Sequence, residues 1–327
     1  MRPALAALVV MLLAVWSASG CALLVSIGLS GERGRSDLVL RTSDAAVVYL
    51  ERKPKQPTMT IVLVHGFGGN KDHWTRFADH LPDDAWILAP DLPGFGASPK
   101  HENESYHLDS QLARLREFLN DIGVEKFHLI GNSMGGQLAT LWALAEPDRV
   151  QSLVLLNPAG LRGPVPSAMD KLTKDGAEPL LIQNAADFQR LLDLSFVIPP
   201  RIPGFLKEHF ANEAAASYPF SKKIKADLKA RPAPIADRIA SLQPPTLVVW
   251  GDSDGVLDPS AVPLWRQRVP GGLVVVMRAT GHAPMIERPS ETASLVLTWW
   301  RRTQRGALKL SQTACSCRSG PHRLVRA

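Results

Sequence analysis

The 327-residue chain predicts one large α/β domain with insertions, on three observations. Short apolar runs with strand character recur along it. Helical apolar spacing separates several of them. The loops that follow three of the runs carry a serine, a cluster of acids and a histidine, in that order. The strand candidates are Asp37–Thr42, Ala46–Leu50, Thr60–Val64, Trp86–Pro90, Lys126–Gly131, Ser152–Asn157, Thr246–Trp250 and Leu273–Met277.

Composition narrows the class. A hydrophobic fraction of 45% with 21% charged residues is enough to build a sizeable core. The net charge of +6 belongs to the end of the chain: Arg301, Arg302, Arg305, Lys309, Arg318, Arg323 and Arg326 are unaccompanied by Asp or Glu, and without them residues 1–300 stand at −1. A nucleic-acid partner is therefore not expected, and residues 303–327 read as a basic, disordered tail. Cys21, Cys315 and Cys317 all lie outside the domain, which excludes a disulfide framework and a zinc site.

Residues 3–30 are nearly uncharged and mostly apolar. Some twenty such residues suffice to cross a bilayer, so residues 1–30 read as a membrane anchor. Ser17-Ala18-Ser19-Gly20-Cys21 approaches a lipobox, which would make Cys21 a lipidated residue, and cleavage as a secretory signal is a third reading. All three put the domain outside the cytoplasm.

The strand candidate Thr60–Val64 runs into His65-Gly66-Phe67-Gly68-Gly69-Asn70, a glycine-rich loop that lets backbone N–H groups approach a ligand. Trp86–Pro90 leads into Asp91-Leu92-Pro93-Gly94-Phe95-Gly96, read as a structural turn. Tyr106–Ile122 has helical spacing at Leu108, Leu112, Leu115, Phe118 and Leu119. Next comes Gly131-Asn132-Ser133-Met134-Gly135-Gly136 between a strand and a helix, the context in which Gly-x-Ser-x-Gly presents a serine on a strained turn. Side chains at Gly131 and Gly135 would collide with the neighbouring helix and strand.

From Gly160 to Ser241 prolines break the pattern repeatedly, and short amphipathic pieces such as Asp187–Leu194 and Phe205–Ala214 replace strands. Residues 160–241 read as a helical cap over the serine. Phe196, Val197, Ile198, Ile202 and Phe205 would either face lipid or pack down on the core. The strand pattern resumes at Thr246, and a last helix is expected over Ser290–Arg302.

A serine hydroxyl is a poor nucleophile without a base, and the base needs an orienting carboxylate. Ser133, an acid within 252–258 and His282 meet that need in the chain order Ser, acid, His. The other histidines lie in charged, helical, strand, oxyanion-loop or tail positions. Of the acids, Asp254 is chosen. Asp252 follows its strand at once and suits a local turn, and Asp258 before Pro259 suits a helix N-cap. The backbone N–H groups of Phe67 and Met134 are the candidate oxyanion donors, and the mechanism calls for no metal or organic cofactor.

With His65-Gly66-Phe67-Gly68-Gly69-Asn70-Lys71-Asp72, Asp91-Leu92-Pro93-Gly94-Phe95-Gly96, the Ser133 elbow and Gly281-His282-Ala283-Pro284, residues 37–302 resemble the α/β-hydrolase superfamily. The combination is similar to bacterial family V lipases and esterases and to membrane-anchored bacterial phospholipases A. That resemblance implies a mostly parallel eight-stranded sheet flanked by helices, with a cap. It also implies hydrolysis of carboxylic esters with a lipid-like acyl group by Ser133, Asp254 and His282. The same elbow occurs in C–C bond hydrolases, and a non-catalytic membrane scaffold is the remaining alternative.

Overall fold

A computed structural model describes residues 28–304 together with Ser26. The apolar stretch 3–30, Cys21 included, falls almost wholly outside the described residues, as does the tail from 305. No helix among the described residues is long and apolar enough to cross a membrane.

Eight strands form one sheet: β1 Val39–Thr42, β2 Val48–Arg52, β3 Met59–Val64, β4 Ala85–Pro90, β5 Phe127–Asn132, β6 Val150–Leu156, β7 Thr246–Gly251 and β8 Leu273–Met277. Their order is β1-β2-β4-β3-β5-β6-β7-β8. The β1–β2 and β2–β4 pairs are antiparallel and the others parallel, as the expected fold requires. The expected strands are all present, with ends moved by up to two residues.

Helices cover both faces of the parallel part, which is why its strands read as unbroken apolar runs. The period of two becomes visible only in the packing. Val62, Val64, Leu153, Leu155, Val248 and Trp250 enter one core, with α3 (Leu108–Asp121), α4 (Met134–Ala145) and α9 (Val262–Arg268). Ile61, Leu63, Val154, Leu156, Leu247 and Val249 enter the other, with α2 (Thr75–Ala78) and α11 (Pro289–Gln304).

Residues 28–35 form a helix, α1; the sequence reading places 28–30 in the anchor stretch and leaves 31–35 unassigned. Arg33 holds it to the body with a bidentate pair to Asp72 at 2.7 and 2.9 Å, and Ser36 Oγ donates to the Thr75 carbonyl.

Between β6 and β7 lie α5 (Ala168–Lys174), α6 (Ala185–Ser195), α7 (Gly204–Ala216) and α8 (Tyr218–Ala230), and no strand. Pro219 does not break α8 but sits in its first turn, where the missing N–H has no partner to lose. Phe196 packs on the core, whereas Val197, Ile198 and Phe205 stay exposed.

Among the histidines whose pKa burial lowers, which include His65 and His73, His128 shows how stability comes to depend on pH. Ser152 Oγ accepts from Trp300 Nε1 at 2.8 Å, leaving its hydrogen for His128 Nδ1 at 2.7 Å. Burial lowers the His128 pKa from 6.5 to about 4. Between those values the unfolded chain binds a proton that the folded chain refuses, so stability present above pH 6.5 is lost as the pH falls. About 2 kcal/mol should be gone by pH 5. Urea midpoints at pH 7.5 and pH 5 check this, and His128→Gln should shrink the difference by about that amount, leaving the share of the buried His65 and His73.

Candidate active site

The sheet delivers three loops to the C-terminal ends of β3, β5 and β7, with a fourth from β8. β5 ends at Asn132, and α4 begins at Met134. Ser133, alone between them, takes φ 57°, ψ −120°, a left-handed conformation that costs a non-glycine residue on the order of 1–3 kcal/mol. Two close approaches make the turn possible. A Cβ on Gly131 would run into the Gly135 carbonyl, and one on Gly135 into the Val64 carbonyl. Ser133 is fixed on either side: its N–H donates to Leu156 O at 3.1 Å, and its carbonyl accepts from Gln137 and Ala159.

Asp254, after β7, has a side chain sealed from solvent. Burying a carboxylate costs several kcal/mol unless donors replace its water. Here four do. Val256 and Leu257 N–H groups donate to Oδ1 at 2.8 and 2.9 Å, and Asn157 Nδ2 and His282 Nδ1 donate to Oδ2 at 2.7 and 2.8 Å. With Nδ1 so occupied, His282 turns Nε2 into an acceptor. The other two acids are engaged elsewhere. Asp252 is exposed and accepts from the Ser253 hydroxyl, while Asp258 caps the short turn Pro259–Ala261.

Asn132 Nδ2 bridges the elbow to the histidine loop, donating to Leu156 O and to the His282 carbonyl at 3.0 Å each. Among the described residues no hydrogen bond joins Ser133 Oγ to His282. The contact between such groups is commonly long before substrate binds.

The glycine-rich loop lies against the serine: a Cβ on Gly66 would stand 3.0 Å from Ser133 Cβ. His65 is fully buried, and burial pushes its pKa down, favouring the neutral ring. Its Nε2 accepts from Leu92 N at 2.9 Å, so Nδ1 donates to the Gly66 carbonyl at 2.8 Å. That carbonyl belongs to the peptide group whose N–H is Phe67's, and the imidazole therefore sets the direction of that N–H. Asp91 holds the far end of the loop, accepting from Lys71 N and Nζ at 2.7 and 2.9 Å and from Ala97 N at 2.8 Å. Neither the Phe67 nor the Met134 N–H has an acceptor among the described residues.

Sequence reasoning missed Asn157. In the sequence it is only the end of the strand candidate Ser152–Asn157, yet its amide is a direct partner of Asp254. Its φ of 45° at the end of β6, beside a buried acid loop, is a geometric signal with no one-dimensional counterpart. No group of three or more His, Cys, Asp or Glu side chains suited to a metal ion occurs among the described residues.

The arrangement can support an activated serine: a hydroxyl carried on a strained turn, a buried Asp–His pair on neighbouring loops, and two N–H groups without an acceptor, one in the glycine-rich loop and one at the start of α4. Comparison with known proteins agrees in fold. A family described as "alpha/beta hydrolase fold" matches residues 60–289. Lipase 3 of Moraxella sp. (strain TA144) is 36% identical over 270 residues, covering 80% of this chain and 85% of its own. Lipase 1 of Psychrobacter immobilis is 36% identical over 269 residues, with 80% and 84% covered. A crystal structure of a bacterial membrane phospholipase A superposes with a TM-score of 0.85 at 36% identity, over 93% of this chain and 99% of that one. On the family match, these two relatives and the eight-stranded sheet, the chain belongs to the alpha/beta hydrolase family.

Proposed function

We propose that the chain is a serine carboxylic ester hydrolase acting on lipid-like esters, a lipase, esterase or phospholipase A. The observation that carries this reading is the sealed Asp254 carboxylate committed to His282 Nδ1 beside the strained Ser133. The lipase and phospholipase names of the relatives supply the substrate class.

In the proposed reaction His282 Nε2 takes the proton of Ser133 as Oγ attacks the ester carbonyl. The Phe67 and Met134 N–H groups receive the oxyanion, each such donor being worth about 3 kcal/mol. Asp254 stabilises the imidazolium. His282 then gives its proton to the leaving alcohol or lysolipid. Water, deprotonated by the same nitrogen, releases the fatty acid from the acyl-enzyme, and the chemistry needs no metal or organic cofactor.

Residues 160–241 serve as the cap in this reading, with Val197, Ile198 and Phe205 as its apolar edge. The stretch 3–30 is the membrane anchor, and residues 37–302 are the catalytic domain, held outside the cytoplasm. The membrane phospholipase A at 36% identity supports association with a bilayer.

Fatty-acid release from phospholipid vesicles, monoacylglycerol micelles and short-chain esters, measured in parallel for wild type and Ser133→Ala, tests the reading. Serine-dependent release from vesicles makes the chain a phospholipase, and turnover of simple esters alone leaves an esterase. No turnover of any ester would overturn the proposal in favour of C–C hydrolysis or a scaffold role.

A further inference from the structure

The loop that carries His282 is not held by the sheet alone. Glu287, at the end of α10 (Pro284–Glu287), spreads its two carboxylate oxygens over different parts of the chain. Oε2 accepts from Gly281 N at 2.7 Å, one residue before the histidine. Oε1 accepts from Val197 N at 2.9 Å and Ile198 N at 2.8 Å, in the segment that follows α6. All three donors are main-chain N–H groups, so the link fixes backbone to backbone, and an ionised acceptor makes each bond short and strong.

Two further bonds run alongside. His282 N donates to Ser195 O at 2.7 Å, and Gly255 N to Leu194 O at 3.1 Å. The end of α6 is thereby bonded to the loops of both the base and the acid. Immediately beyond it the chain turns outward: Val197 is 43% exposed, Ile198 67% and Phe205 47%. The most exposed apolar residue of this ridge, Ile198, thus shares a carboxylate oxygen with Val197 and the carboxylate itself with the residue before His282.

We propose that Glu287 is a positioning residue: it ties the His282 loop to the apolar segment 196–205, so that the placement of the base depends on where that segment lies. The proposal rests on the reading of His282 as the base. A substrate surface that shifts the ridge would reach the base through this carboxylate, without touching the imidazole.

Glu287→Gln separates the two ends of the link. A glutamine oxygen can still accept from Val197 and Ile198, but its amide group would confront the Gly281 N–H donor with a second donor. The full chain carrying Glu287→Gln or Glu287→Ala is assayed on a short-chain ester. Rates are divided by the number of sites labelled to completion with a fluorophosphonate, so that unfolded molecules are not counted. A misplaced base should lower kcat per site about 10- to 100-fold with KM within about twofold.

Hydrogen exchange gives the second readout. In Glu287→Gln the Gly281 amide should exchange faster while Val197 and Ile198 keep their protection. In Glu287→Ala all three should speed up. Wild-type kcat per labelled site in both variants, with the loss confined to the number of sites, would overturn the proposal and leave Glu287 a purely structural residue. Ser133→Ala is run alongside. Continued turnover there would sink the catalytic reading itself, whereas a dead Ser133→Ala beside a fully active Glu287→Gln sinks only the inference drawn from Glu287.

Discussion

Ser133→Ala should lower kcat by about 10⁶-fold, down to what the oxyanion donors and substrate binding achieve alone. The substitution removes one oxygen and disturbs little else. The Ser133 backbone bonds to Leu156, Gln137 and Ala159 do not involve the side chain. The close approach of Gly66 to the Ser133 Cβ is also unaffected, because alanine carries the same Cβ. Thermal unfolding and circular dichroism should therefore match wild type. KM should change little, because the hydroxyl contributes to the transition state and not to holding the ester. Steady-state hydrolysis and covalent labelling by a fluorophosphonate check the two halves. Appreciable activity in a pure, unlabelled variant would remove Ser133 from the mechanism.

Asp254→Asn should cost about 10⁴-fold in kcat. The reason lies in the donor set. The amide oxygen can occupy only one of the two carboxylate positions. If it faces Val256 and Leu257, the NH₂ group confronts Asn157 Nδ2 and His282 Nδ1. The imidazole is then driven to the tautomer that carries its hydrogen on Nε2, which cannot accept from a serine. If the amide turns over, it opposes the two backbone N–H groups that form the loop. Either arrangement also loses the charge that stabilises imidazolium. Asp252→Asn, altering an exposed side chain bonded only to its neighbour, should stay within about twofold. A reversal of the two results would transfer the role of the acid.

What the sequence discloses and what it conceals divide by distance along the chain. The elbow is legible because strand, turn and helix are consecutive and each uses its own local signature: the β5 run, the glycines, and the apolar α4. The order Ser133, Asp254, His282 is legible because each residue follows a recognisable strand. The contacts that complete the site are long-range pairs with no such signature. Asn157 reaches Asp254 across 97 positions, Glu287 reaches Val197 across 90, and Arg33 reaches Asp72 across 39. Nothing in the residue type announces the partner. The helices between β6 and β7 are only partly legible for a different reason. α6 and α7 are read as the pieces Asp187–Leu194 and Phe205–Ala214, although α7 buries little beyond Ala211, while α5 and α8, which bury at most Ile224, go unassigned. α1 was hidden by its position next to the apolar stretch, and it docks through polar groups that no hydropathy pattern reports.

The backbone at Ser133 has a consequence for how such a chain can change. A glycine would adopt φ 57°, ψ −120° without steric conflict, so among the small residues serine is an uncomfortable occupant of this turn. Selection for a more durable fold and selection for turnover thus act on this position in opposite directions. Released from the need to react, the chain would gain stability by giving up the whole side chain for glycine, and a descendant recruited to a role without chemistry would be expected to lose its nucleophile before it lost its fold.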